Sequence, residues 1–161
     1  MLRIALVHPE IPQNTGNIAR TCAAIGAELH LVHPLGFSVD ERSVRRAGLD
    51  YWELLTIVEH ASADEFLKDA STRPMFLFTS KGSVPFADIS YPRDAMLVFG
   101  SETSGLSSEF MTKAAGERLR IPTLAEARCL NLSNAVAVAA YEVLRQSGFS
   151  DLELSRATKL E

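Results

Sequence analysis

Ala95-Met96-Leu97-Val98-Phe99-Gly100-Ser101-Glu102-Thr103-Ser104-Gly105-Leu106 joins a short, unbroken apolar run to a loop with glycines near both ends. An apolar run of that length, closed by a turn signal, reads as a strand buried on both faces. The same pattern recurs along the chain. Residues 2–7, 29–32, 54–58, 75–79 and 119–121 also read as strands. Helical periodicity lies between them. Residues 15–25 carry Ile18, Cys22 and Ile25 on one stripe, with Gly26 beyond the end. Ser38-Val39-Asp40-Glu41 is a capping box that opens a short helix stopping at Gly48, and Ser62-Ala63-Asp64-Glu65 is another. Residues 108–115 read as a helix ended by Gly116. A last helix over residues 131–146 places Leu132, Val136, Ala139 and Val143 on one face, with Gly148 after it.

Strands alternating with helices predict an α/β fold, a parallel sheet with helices on both faces. The chain has 161 residues and no internal repeat or linker. At roughly 150 residues per domain this predicts a single domain over residues 1–150 and a polar tail over 151–161. Ligands of such folds sit beyond the carboxyl ends of the strands. The loops after Val7, Thr79, Phe99 and Ile121 are therefore the places to search.

Composition narrows the function classes. Apolar residues make up 47% and charged residues 22%, which excludes disordered and fibrous classes. The apolar stretch 4–7 stops at His8-Pro9, too short for a signal-peptide core. No run is long enough to span a membrane, so a cytoplasmic protein with no membrane partner is expected. Cys22 and Cys129 lack the spacing of a disulfide framework or zinc site, and His8, His30, His33 and His60 lack metal spacing, so no metal is expected. Sixteen basic and twenty acidic residues give a net charge of −4. Residues 53–69 hold Glu53, Glu59, Asp64, Glu65 and Asp69 against Lys68 alone, so the rest of the chain is neutral. That balance argues against a nonspecific nucleic-acid coat. It leaves Arg42, Arg45 and Arg46 as the densest local basic cluster.

The loops admit more than one reading. Residues 100–106 are not a phosphate loop, because Leu106 stands where that motif needs lysine. Nor does a GxGxxG follow the first strand, where His8-Pro9-Glu10-Ile11-Pro12 stands instead. The glycines suit close backbone approach to something flat, or an ordinary tight turn. Asn14-Thr15-Gly16-Asn17, followed by Arg20, reads either as an asparagine N-cap with an exposed arginine or as a helix start aimed at an anionic or hydroxyl substrate. Between Ile121 and Asn134, Asn131, Ser133 and Asn134 exceed what one helix cap requires. They suit a polar ligand or a tightly bonded loop, and the aliphatic residues beside them suit a base. Tyr51, Trp52 and Tyr91 are too dispersed to form a stacking platform, and Tyr141 suits a core or subunit contact.

Three stretches carry a resemblance: Asn14-Thr15-Gly16-Asn17-Ile18-Ala19-Arg20, residues 99–106, and Arg128-Cys129-Leu130-Asn131-Leu132-Ser133-Asn134-Ala135-Val136. Together, in this order, they resemble the motifs of SPOUT-class RNA ribose 2′-O-methyltransferases. Arg45-Arg46-Ala47-Gly48-Leu49-Asp50-Tyr51-Trp52 further resembles the minimal TrmL type, which methylates the wobble ribose of tRNA. The likeness runs from Leu2 to about Phe149. It implies an α/β fold with a deep C-terminal trefoil knot, a homodimer, and S-adenosyl-L-methionine as cofactor. It implies an adenosine pocket at Phe78, Thr79, Gly100, Ile121, Cys129 and Leu130, and catalytic roles for Arg20, Asn14, Glu102 and Asn131. Its implied substrate is the tRNA anticodon stem-loop, cytidine or modified uridine at the wobble position, with leucine tRNAs expected. The stem-loop would be gripped by the dimer surface and by Arg42, Arg45 and Arg46.

Two positions depart from the family pattern. Cys129 stands where serine is common, removing a hydroxyl donor, and Ser104 replaces an arginine often seen in that loop. Three rivals remain open on the residues alone: a ribose methyltransferase acting on another RNA such as rRNA, a noncatalytic RNA- or nucleotide-binding module, and a flavodoxin-like redox domain.

Overall fold

Four apolar runs form the middle of a seven-stranded sheet in the computed structural model, which describes residues 1–38, 55–127, 129–150 and 152. In chain order the elements are β1 (Arg3–Val7), α1 (Pro12–Ile25), β2 (Glu28–Val32), β3 (Ile57–His60), α2 (Ala63–Asp69), β4 (Met75–Phe78), β5 (Val84–Pro85), β6 (Met96–Phe99), α3 (Ser108–Lys113), β7 (Gly116–Arg120) and α4 (Leu132–Gln146). The sheet order is β3-β2-β1-β6-β4-β7-β5, and every pairing is parallel. β6 thus inserts between β1 and β4, which precede it in the chain.

Alternation along each strand divides the core into two layers, because successive side chains point to opposite faces. Ile4, Leu6, Leu29, Leu31, Leu97 and Phe99 pack with Ile18 and Cys22 of α1 and with Val136, Ala139 and Val143 of α4. Ala5, Val7, Leu77, Met96 and Val98 pack with Phe66 of α2 and with Phe110 and Met111 of α3. The expected sheet covered on both faces is therefore present. Cys22 is fully buried, and burial pushes its thiol up to about 12, so it serves as a small apolar side chain.

Several element ends differ from expectation. α1 starts at Pro12, because proline presets the helical φ and needs no N–H partner in the first turn. Its N-cap is Ile11, which offers no side-chain hydrogen bond, so Asn14 is not the cap. Gly26 closes α1 at φ 66°, as expected. Gly116 does not end α3; it opens β7, where an added Cβ would lie 3.0 Å from both Leu77 Cγ and Met75 O. β3 covers residues 57–60 rather than 54–58. The Ser62 box forms: Ser62 Oγ accepts from Glu65 N at 3.2 Å, while Glu65 Oε2 accepts from Ala61 N at 2.7 Å, one residue before the cap. Tyr141 is 48% exposed on α4, which removes the core alternative for it.

On the β2–β3 side, His30 and His60 form a buried pair, with His30 Nδ1 3.0 Å from His60 Nε2 and Phe66 edge-on to both rings. Burial, and then the charge of His60, hold His30 down to about 4. Apart from Ser38, the helix expected up to Gly48 lies outside the described residues, as do Arg42, Arg45, Arg46, Tyr51, Trp52 and nearly all of the tail. Among the described residues, no helix is long and apolar enough to cross a membrane.

The register sets the position of the site. Leu6 pairs with Phe99, Phe99 with Phe78, and Phe78 with Leu119. The carboxyl ends of β1, β6, β4 and β7 are therefore level, and their outgoing loops leave from one edge.

Candidate active site

Those loops, with the amino end of α4, enclose a cleft of about 830 Å3. Its floor is the strand edge itself: Phe78 and Phe99 stack with ring centroids 4.6 Å apart and planes 15° apart. β4 continues into a turn anchored by Thr79, whose N–H donates to Leu119 O at 2.9 Å and whose Oγ1 accepts from Lys81 N at 3.2 Å. β7 continues into Ile121, and the chain then reaches exposed Cys129 and Leu130 before α4 begins.

The 100–106 loop folds back on itself. Gly105, at φ +65°, donates its N–H to Ser101 O at 2.9 Å. A Cβ on Gly100 would lie 2.0 Å from Gly105 C and 2.1 Å from Leu106 N, so the loop's own backbone excludes any side chain there. Of the two readings of this glycine, the tight turn accounts for it. Ser104 bonds within the loop, its Oγ 2.8 Å from Ser101 Oγ.

Glu102 points from this loop to the start of α1. Its carboxylate accepts from Glu10 N at 2.8 Å, Ile11 N at 3.3 Å and Asn14 Nδ2 at 3.0 Å. The cap that α1 lacks in its own sequence thus comes from residue 102, together with the negative charge a helix amino end favours. Asn14, 6% exposed, accepts at its Oδ1 from Asn131 Nδ2 at 2.9 Å. Asn131 is the N-cap of α4, and its Oδ1 accepts from Ser133 N and Ser133 Oγ. One continuous chain of hydrogen bonds, Glu102–Asn14–Asn131, therefore ties the three motif segments together. Thr103 Oγ1 adds a clasp by donating to the Glu10 carboxylate at 2.8–2.9 Å.

Phe78, Thr79, Gly100, Ile121, Cys129 and Leu130 all line the cleft, as do Asn14, Glu102 and Asn131. Arg20 does not line it. Six residues beyond Asn14, it lies about 9 Å along α1 and roughly 120° around it, on an exposed face. The sequence reading missed Lys81, Ser101, Thr103 and Arg120, which also line the cleft. The signal for them was positional: Arg120 is the carboxyl end of β7, and the others follow the carboxyl end of β4 or β6. A volume within the 300–1,000 Å3 range of small-molecule sites, apolar walls and a rim of backbone and amide groups suit a nucleoside-like ligand.

Over residues 1–141 the chain matches the family described as SpoU rRNA Methylase. It is 47% identical over 152 residues to a protein of Burkholderia cenocepacia named tRNA (cytidine(34)-2′-O)-methyltransferase, covering 92% of this chain and 97% of that one. A solved structure described as "Structural insights into the 2-OH methylation of C/U34 on tRNA" superposes with a TM-score of 0.87 at 41% identity, covering 92% of this chain and 97% of the other. An AdoMet-bound rRNA methyltransferase from Sinorhizobium meliloti superposes with a TM-score of 0.82 at 27% identity, covering 89% of this chain and 56% of that one.

Proposed function

Since the chain belongs to the SpoU methylase family, we propose that it is a cytoplasmic tRNA 2′-O-methyltransferase acting on the ribose of nucleotide 34, cytidine or modified uridine, in the anticodon stem-loop, with leucine tRNAs among its substrates. The observation that carries this reading is the Glu102–Asn14–Asn131 chain at the mouth of the cleft, which joins three sequence motifs into one polar junction. The proteins named for this activity match over nearly the full chain, which supports the substrate assignment.

The cleft's volume and walls fit S-adenosylmethionine, with Phe78, Thr79, Gly100, Ile121, Cys129 and Leu130 as the residues that would hold it. When bound, S-adenosylmethionine supplies a sulfonium methyl as the electrophile for a ribose oxygen. The contribution of the protein is placement. Phe78, Phe99 and Ile121 exclude water from the strand edge, and the junction fixes the 100–106 loop against α1 and α4. Holding two reactants in line contributes about 7–11 kcal/mol in favourable intramolecular cases. Asn14 and Asn131 offer amide groups to the ribose hydroxyls, while Glu102 holds the Asn14 amide in orientation.

Arg20 is a poor proton acceptor, because a guanidinium keeps its positive charge in proteins. Its role here is to stabilise the developing alkoxide or an adjacent phosphate. Within one chain it lies outside the cleft, so this role goes with a homodimer in which the exposed faces of α1 and α4, including Val138 and Tyr141, meet a second copy. Arg42, Arg45 and Arg46 then grip RNA phosphates. The all-parallel sheet with β6 between β1 and β4 is compatible with the C-terminal trefoil knot that the resemblance implies. The test is incubation with tRNA and S-adenosylmethionine, then mass-spectrometric mapping of the modified nucleotide. One methyl on the ribose of nucleotide 34 is expected. Methylation of rRNA instead would reassign the substrate, and cofactor binding without transfer would make the chain a binding module.

A further inference from the structure

Lys81, in the turn after β4, and Arg120, the last residue of β7, reach the rim of the cleft from two stretches that the backbone holds together. Thr79 N donates to Leu119 O at 2.9 Å, and the turn it opens closes with Gly82 N donating to Thr79 O at 3.1 Å. A Cβ on Gly82 would lie 2.7 Å from Leu119 O and 3.1 Å from Arg120 N, so the turn carrying Lys81 packs directly on the backbone carrying Arg120. Both side chains are exposed and line the cleft. Most other cations with side-chain contacts here spend them on the protein: Arg3 on Glu28, Lys113 on Asp64 and Glu109, Arg145 on Glu142, Arg118 on Met111 O. No ion pair engages Lys81 or Arg120 among the described residues. In a chain of net charge −4, two adjacent unpaired cations at a ligand cleft concentrate positive potential where an anion can approach.

The cleft also has a continuation. A second hollow of about 350 Å3 shares Arg120 and Thr123 with it and is lined further by Ser83, Pro85, Pro122 and Ala125. A compact cofactor ends inside its pocket, whereas a nucleic-acid strand must leave it. Proline and alanine faces with neighbouring hydroxyls suit a sugar–base unit, and a guanidinium between the two spaces suits the phosphate joining two nucleotides. We propose that Lys81 and Arg120 form a phosphodiester subsite, and that the RNA strand leaves the cleft through the Ser83–Pro122 hollow with the phosphate beside the target ribose held by these two cations. This inference rests on the RNA-methyltransferase reading and names part of its substrate path.

The test uses the full chain with tRNA. Each phosphate neutralised on a single strand contributes about −0.7 to the slope of log K against log salt. The Lys81→Ala/Arg120→Ala double variant should flatten that slope by about 0.7, the value for the one phosphate the two cations share, and weaken tRNA binding severalfold at low salt. Calorimetric S-adenosylmethionine affinity should stay within twofold of wild type. The charge-keeping pair Lys81→Arg/Arg120→Lys should retain the slope, which separates charge from folding. An unchanged slope in the Ala variant, beside a wild type that binds and methylates tRNA, overturns the subsite alone. A loss of cofactor affinity with an unchanged RNA slope assigns the cations to the cofactor's carboxylate and also overturns it. A wild-type chain that neither binds nor methylates tRNA overturns the functional reading, and the subsite with it.

Discussion

Replacing Glu102 should destabilise the amino end of α1, although residue 102 lies 88 positions away from Asn14 in sequence. Its carboxylate satisfies Glu10 N, Ile11 N and Asn14 Nδ2, and α1 has no side-chain cap of its own. Losing a cap costs about 1 kcal/mol, and losing the negative charge at a helix amino end about 0.3–1 kcal/mol. The Asn14 amide, nearly buried, loses an acceptor worth about 1 kcal/mol net. Water reaches the more exposed Glu10 and Ile11 N–H groups and recovers part of the loss. Glu102→Ala should therefore cost about 2–3 kcal/mol, which lowers the melting temperature of a chain this size by roughly 5–10 °C. Glu102→Gln keeps the shape but turns an amide donor toward donors, and should cost about 1–2 kcal/mol. Combined with Asn14→Ala, Glu102→Ala should be non-additive by about 1 kcal/mol, because the two side chains share one bond. Calorimetric melting of the four proteins measures this cycle. A Glu102→Ala protein melting within about 1 °C of wild type, or strict additivity with Asn14→Ala, would refute the junction as a structural unit.

Three other outcomes are expected. Arg20→Ala should leave S-adenosylmethionine affinity nearly unchanged and cut methyl transfer at saturating RNA by about 10²-fold or more, with little rescue by lysine; wild-type turnover in a folded dimer would end the catalytic assignment. Gly100→Ala should open the 100–106 loop, because its Cβ would lie within 2.3 Å of backbone at residues 105 and 106; a binding titration should show at least about tenfold weaker cofactor binding, and unchanged affinity would contradict the loop geometry. His30 stays neutral in the folded protein down to about 4, against 6.5 in the unfolded chain, in contact with His60 and near Glu28, Arg3 and Arg73. The unfolded chain thus takes up this proton first as pH falls. Stability on the order of 2 kcal/mol is present above pH 6.5 and is lost on descending to about 4. Denaturant midpoints at pH 7 and pH 4.5 should diverge less in His30→Gln than in wild type; equal losses would show that the pair is not responsible.

The strands at the centre of the sheet were legible because their apolar runs are continuous, as double burial demands. The edges were not. β5 has only two residues, one a proline, and β7 carries Glu117, Arg118 and Arg120, exposed charges that hide the strand pattern. Gly116 carried a stop signal for α3 but is needed for close packing on Leu77 and Met75 in the sheet. At the site, the loops were found from the rule that ligands sit beyond strand carboxyl ends. The partners within them were out of reach of any local pattern. Asn14 looked like a cap because local rules place a cap beside its own helix, whereas Glu102 does that work from the loop after β6 and frees Asn14 to bond Asn131, 117 residues away. The absence of Arg20 from the cleft likewise depends on helix phase relative to the fold, which sequence spacing alone does not fix.

The most direct test of the central claim compares labelled methyl transfer to two anticodon stem-loops that differ only at nucleotide 34, one with ribose and one with 2′-deoxyribose. The 2′-hydroxyl is the one group that distinguishes them. Transfer to the ribose form and none to the deoxy form is the result predicted. Equal transfer to both would place the methyl elsewhere and contradict the account.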